Sequence, residues 1–198
     1  MKVLPGDHIA KLWNSHHASK DGFLSATIPI QTYKELYEQA KKYPSFVIPI
    51  PREIQGENLE QKTGYETFYV EWGFLPKVNE NELNVRPTTL IMTSLNEYKQ
   101  RQMFAQPFVA CTHYVEFGQD PHNFVLMRGE VTRFQSNSDI TVLDSKDARL
   151  LLLTMQRFYL AYKLNDEGSK QRQQLLHNFH NNQSAFDFNK LCDLVQEL

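Results

Sequence analysis

Residues Pro107 to Val131 read PFVACTHYVEFGQDPHNFVLMRGEV, and the fold turns on this stretch. Two apolar runs, 107–117 and 123–131, flank Gly118-Gln119-Asp120-Pro121. Glycine supplies the backbone freedom of a tight turn, and Asp and Pro favour its corners. A crossover between parallel strands needs roughly a dozen residues or more, so the short joint predicts two antiparallel strands and argues against a doubly wound parallel sheet.

Upstream, Thr88 to Thr93 reads as another strand. Tyr65 to Phe74 alternates, with Phe68, Val70, Trp72 and Phe74 on one face and Thr67, Tyr69 and Glu71 on the other. That is the pattern of a half-buried strand. Phe46 to Ile50 is a further strand, which Pro49 and Pro51 restrict to a sheet edge because proline donates no ladder hydrogen bond. Gln55–Gly64, Asn79–Pro87 and Gln135–Asp139 read as polar loops or breaks, and Ile140 to Leu143 as a short strand.

Helices surround these strands. Asp7 is placed to cap a short helix carrying Ile9, Leu12 and Trp13, interrupted at Gly22. Thr32-Tyr33-Lys34-Glu35 and Ser94-Leu95-Asn96-Glu97 have capping-box spacing and predict helices over 33–42 and to about Phe104. Asp144 is placed to cap a helix from Lys146 to Leu164, apolar on nearly every side in its middle and so expected to be buried. Helices at 170–178 and 189–197 close the chain. The resulting fold class is α+β: a largely antiparallel β-sheet packed against a long buried helix, with additional N- and C-terminal helices. Residues 1–30 read as an N-terminal helical appendage and 31–198 as a single α+β domain.

At 198 residues the chain is long enough to bury a substantial core, and 12% aromatic content argues against disorder. The formal charge of −2 supplies no global field for nucleic acid. Locally, Glu53 to Glu82 holds seven Glu against two Lys, whereas residues 1–50 hold six Lys against four acids. No run approaches the roughly 20 apolar residues of a membrane span. Met1 to Ala10 has neither a secretory apolar run nor an Arg-rich transit face. Cys111 and Cys192 make no disulfide framework in a chain of this size and read as small core residues.

Reaction chemistry is sparse. The eight glycines form neither a GxGxxG fingerprint nor a phosphate loop. Cys111 and His113 share a strand face, but a functional pair needs an exposed thiolate and an orienting third group. His16 with His17, and His177 with His180, each supply too few ligands for zinc. Glu66 and Glu71 fall on opposite strand faces, which disfavours a paired-carboxylate mechanism. No cofactor is expected, and the chain reads as a binding protein rather than an enzyme.

The order FVIPIPRE (46–53), GYETFYVEW (64–72) and PTTLIMTSLNEY (87–98) resembles the mitochondrial ATP synthase assembly factor family that chaperones the catalytic β subunit. Phe124 to Glu130, the apolar helix at 148–162, Leu12-Trp13-Asn14 and the step from Ile28 to Tyr33 extend the resemblance over about residues 8–198. The stretches 53–63 and 135–139 are extended relative to the family pattern. The resemblance implies a chaperone of the mitochondrial matrix whose presequence is absent from this chain. It would bind the unassembled β subunit as a monomer, without membrane insertion, nucleic acid or ATPase activity, until the α subunit takes its place. Expected partner contacts are Pro49, Pro51, Arg52, Tyr65, Tyr69 and Trp72, where the recognisable segments coincide with interface-prone residue types. The alternatives are a carrier enclosing a small apolar ligand between sheet and helix, and a hydrolase using Cys111 and His113.

Overall fold

The computed structural model describes residues 4–55, 61–77, 83–134 and 137–196. In chain order the elements are α1 (Gly6–Ala18), β1 (Phe23–Pro29), α2 (Ile30–Lys42), β2 (Ser45–Gln55), β3 (Gln61–Phe74), β4 (Thr88–Ser94) and α3 (Leu95–Arg101). There follow β5 (Val109–Tyr114), β6 (Phe124–Val131), β7 (Arg133–Phe134), β8 (Asn137–Thr141), α4 (Ser145–Tyr159), α5 (Glu167–Asn181) and α6 (Phe188–Gln196).

The six main strands form one antiparallel sheet in the order β1-β6-β5-β4-β3-β2. The hairpin read at 107–131 is present, with Val109 opposite Val131 and Tyr114 opposite Leu126. Its connection is longer than the expected four-residue joint, because two tight turns follow one another: Gly118 donates to the Val115 carbonyl and His122 to the Gln119 carbonyl. Strand β2 lies at an edge, as its prolines require. Residues 23–29, read with the N-terminal appendage, form the other edge strand, pairing with β6 along their whole length. The loop expected over 55–64 is narrower, since Gln55 already pairs with Gln61. Residues 56–60 of that loop, 79–82 of the next and 135–136 of the expected break lie outside the described residues. Within the expected 135–139 break, residues from Asn137 belong to β8, which pairs with β7.

One face of the sheet carries Leu24, Phe46, Ile48, Phe68, Val70, Trp72, Leu90, Met92, Cys111 and Met127, all buried in the main core. Ring contacts fix what covers this inner face: Tyr159 of α4 against Trp72, Phe158 against Phe46, and Tyr33 and Tyr37 of α2 against His113 and Phe74. Among the described residues, the opposite, outer face is covered only at its ends. Trp13 and Asn14 of α1 reach Tyr114 and Ser25, and Tyr98 of α3 packs on Tyr69. Between them Ala110 is exposed and Ile91, Thr112 and Arg128 are half-buried.

Three of the four expected caps differ. Helix α1 starts at Gly6 with Pro5 at the cap position and no side-chain bond, so Asp7 lies inside its first turn. Helix α2 starts at Ile30, two residues before Thr32, because β1 runs straight into it and the Ile30 N–H bonds the Asn123 carbonyl (2.9 Å). No side chain caps α2, and Glu35 pairs instead with Lys163. At α3, Ser94 holds the cap position without a side-chain bond, and Glu97 accepts from the Gln106 N–H and from Arg101. Asp144 does cap α4, accepting from the Lys146 N–H at 3.1 Å. Helix α4 ends at Tyr159 and a short 3-10 turn, 161–163, finishes the run expected to continue to Leu164.

Candidate functional site

The expected contact residues lie on the β2–β3 hairpin and separate by strand side. Pro49, Pro51, Tyr65 and Tyr69 occupy the outer row, with Pro51 directly opposite Tyr65. Pro49 is buried, while Pro51, Tyr65 and Tyr69 are half-buried. Helix α6 packs along this edge, and the Gln196 amide donates to the Tyr65 hydroxyl. Tyr69 stacks on Tyr98 with centroids 4.7 Å apart. On the inner row, Trp72 is 7% exposed, between His113 and Tyr159. Arg52 also starts from the inner row. It donates through Nε (3.0 Å) and Nη2 (2.6 Å) to Glu66 and through Nη1 to Asp147 at the start of α4. The hairpin thus brings together three partly accessible residues, two buried ones and one committed to internal ion pairs.

The reactive candidates occupy the inner face. Cys111 is 1% exposed, and burial pushes its thiol up to about 12. A thiol held so far above neutral pH stays protonated and makes a poor nucleophile. His113 hydrogen-bonds the Thr88 hydroxyl at 3.0 Å, and Tyr33 donates to the Arg86 carbonyl while contacting the same hydroxyl. Burial drives the His113 pKa down to about 4, so the ring is neutral at physiological pH. These three side chains form a satisfied polar knot inside the core. His180 donates to the Ser45 carbonyl at 2.6 Å, and His177 faces Tyr43 and Asn181. Among the described residues no cluster of three or more His, Cys, Asp or Glu is placed to hold a metal. No helix among them is long and apolar enough to cross a membrane.

Phe46, Ile48, Phe68, Leu90, Met92, Leu151 and Phe158 fill the space between sheet and helices. Two hollows among the described residues are open to solvent. One, of about 540 Å³, lies on the outer face beside Ala110, Thr112, Tyr114 and Arg128. Another, of about 530 Å³, runs between α4 and the start of α5, lined by Leu150, Leu153, Arg157, Leu160, Leu164 and Ser169.

The accessible apolar side chains are mostly ones the sequence reading passed over. Met103 and Phe104, in a 3-10 turn after α3, are 86% and 81% exposed. Gln102, which opens the turn, has φ 52°, a conformation that strains a residue bearing Cβ. Leu153 and Leu164 are 59% and 61% exposed, so α4 is not buried on every side as its composition suggested. The signal was in the sequence. Four consecutive leucines, 150–153, sweep about 300° of a helix, more than a one-sided core contact covers. Nothing local marked Met103 and Phe104, whose exposure depends on where the turn projects.

The chain matches the family model described as "ATP11 protein" over residues 1–192. It is 31% identical over 192 residues to "Protein atp11, mitochondrial" of Schizosaccharomyces pombe, a match covering 97% of the chain and 58% of that protein. It is 28% identical over 160 residues to "ATP synthase mitochondrial F1 complex assembly factor 1" of Danio rerio, covering 80% of the chain and 42% of that protein. The Homo sapiens protein of the same name is 24% identical over 159 residues, covering 80% of the chain and 39% of its own length. The chain therefore spans about half the length, or less, of the relatives it matches.

Proposed function

Because the chain belongs to the ATP11 protein family, we propose that it acts in assembly of the F1 complex of mitochondrial ATP synthase, as the names of its animal relatives describe. The observation that carries this reading is the 31% identity maintained over 97% of the chain. In the finer form of the proposal, the chain is a monomeric, non-catalytic chaperone of the mitochondrial matrix. It binds the free β subunit, shields the apolar surface destined for the α subunit, and leaves when α arrives. Obligate interfaces resemble a domain core cut in half, so such a subunit aggregates unless covered.

Apolar surface left in water supports this reading, since patches of that kind mark partner sites. Of the expected contacts, Pro51, Tyr65 and Tyr69 keep accessible surface and serve as proposed contact residues. Pro49, buried in the same row, and Trp72, buried on the opposite face, serve as framework, and Arg52 holds the hairpin to α4. Met103 and Phe104 join the contact set as exposed anchors.

The test is co-purification of the tagged chain with separately expressed α and β subunits. Enrichment of β over α is expected; equal recovery of both, or of neither, sinks the β-subunit assignment. Light scattering of the free chain checks the monomer.

A further inference from the structure

Helix α4 packs on the sheet through Ala148, Leu151, Met155, Phe158 and Tyr159. Its opposite side, facing away from the sheet, carries Leu150 and Leu153, and Leu160 and Leu164 extend the row past the helix end; Leu150 and Leu160 are half-buried, Leu153 and Leu164 exposed. These leucines form one wall and the floor of the 530 Å³ groove, closed on the far side by the start of α5. No described element covers it.

The charges around the groove are unevenly placed. Arg157 lines the groove, one helical turn from Leu153; Lys146 and Arg149 are exposed on the same side of α4, each within about one turn of Leu150, and none of the three ion-pairs with a described residue. The one acid of α4, Asp147, turns away to Arg52. On the α5 side, the Asp166 carboxylate lines the groove; it accepts from the Ser169 N–H (2.9 Å) and hydroxyl (2.8 Å) and keeps its negative charge on the wall opposite α4. Glu167 accepts from the Gln171 amide, Lys170 is exposed, and Arg172 donates inward to the Leu194 carbonyl. Lys163, beyond the helix end, is paired with Glu35. The α4 rim is thus cationic, and on that side the groove presents apolar side chains beside the Arg157 guanidinium, which has no ion pair with a described residue.

We propose that this groove docks an amphipathic helix whose apolar ridge is flanked by acidic residues, supplied by the F1 subunit the chain accompanies; the identity of that donor rests on the assembly reading above. The occupant is a helix because both walls are helices whose backbone groups are bonded internally. An extended segment would find no ladder there for its own N–H and C=O groups, whereas a helix satisfies them itself. Leu150 to Leu160 span about 15 Å of helix, room for roughly three turns of a partner with ridge residues at i, i+3/i+4 and i+7. Acidic flanks follow from the α4 rim: a cationic partner would be repelled by Arg157 and its neighbours Lys146 and Arg149, whereas acidic flanks complement them. The groove is on the helix side of the sheet, away from Tyr69 and Phe104, so the two surfaces can be tested separately.

The experiment has two arms, both using the full chain. In the first, a fluorescent peptide of roughly 18 residues, long enough to populate a helix, carries a leucine ridge flanked by Glu; a second peptide has Lys in place of every Glu. The acidic peptide is expected to bind at least about tenfold tighter, and Leu153→Glu and Arg157→Glu each to weaken it about tenfold, while Arg157→Lys retains it. Equal binding of both peptides, no binding of the acidic one, or indifference to Leu153→Glu overturns the proposal. In the second arm, the wild-type chain and Leu153→Glu are compared for capture of tagged F1 subunits. Capture lost only in the variant supports the groove. Capture equal in both overturns it as a subunit site while leaving the assembly reading intact. If the wild type captures neither subunit, the assembly reading falls and the peptide arm alone decides the groove. Leu153 is exposed, so an unchanged melting curve verifies that the variant is folded.

Discussion

Arg52 shows how one side chain changes meaning between sequence and structure. In the sequence it is an interface-prone residue between prolines; in the fold it joins Glu66 on β3 to Asp147 in the first turn of α4. All three groups keep about a quarter to a third of their side-chain surface in water, so solvent screens the pairs. Arg52→Ala is expected to cost on the order of 1–2 kcal/mol in urea denaturation, with the loss shrinking as salt is added. His113 gives a pH prediction. Its folded pKa is lowered to about 4 by burial, whereas the unfolded chain titrates near 6.5. The unfolded state therefore binds the proton first as pH falls. The contribution is whole above the unfolded pKa and is lost progressively between pH 6.5 and 4, amounting to on the order of 2 kcal/mol at pH 5. Urea midpoints measured from pH 7 to 5 should decline more steeply for the wild type than for His113→Gln.

Among the elements, helix starts separate the readable from the unreadable. Asp144 and Asp166 each accept a bond from a free N–H in the first turn, and Asp166 takes the Ser169 hydroxyl as well. Replacing either with Ala is expected to cost about 1 kcal/mol in thermal melts. Thr32→Ala should change stability by less than about 0.5 kcal/mol, because α2 begins earlier and that hydroxyl caps nothing. The capping-box spacing was correct as a pattern, but the boundary was set by a tertiary bond from Ile30 to Asn123, distant in sequence. The strands were easier to read. Alternation along 65–74 assigned Phe68, Val70 and Trp72 to the buried face, and the prolines of β2 placed it at an edge.

At the scale of the molecule, the described helices α2 and α4 pack on one face of the sheet, and among the described residues the other face is covered only at its ends. The turn at 102–104 projects Met103 and Phe104 into solvent, at the expense of a strained φ at Gln102. Strain at a position that displays two apolar side chains is a feature of functional turns. The double variant Met103→Ser, Phe104→Ser is expected to melt within about 0.5 kcal/mol of the wild type, since neither side chain packs internally. In pull-downs with F1 subunits it should recover less partner than the wild type. Full recovery would remove this turn from the contact surface.

By itself the sequence determined the α+β class, the antiparallel sheet, the inner faces of its central strands and the family, because alternation, turn residues and motif order are local properties carried along the chain. The tertiary structure decided that residues 23–29 close one edge of the sheet, that Arg52 is an internal clamp, and that Leu153, Leu164, Met103 and Phe104 stand in water. Each of these depends on which distant segment arrives to cover a side chain or leaves it bare. Hydrophobicity drives burial without direction, so a run of leucines records how much apolar surface a helix has, and only the packing of its neighbours settles which of it is left for a partner.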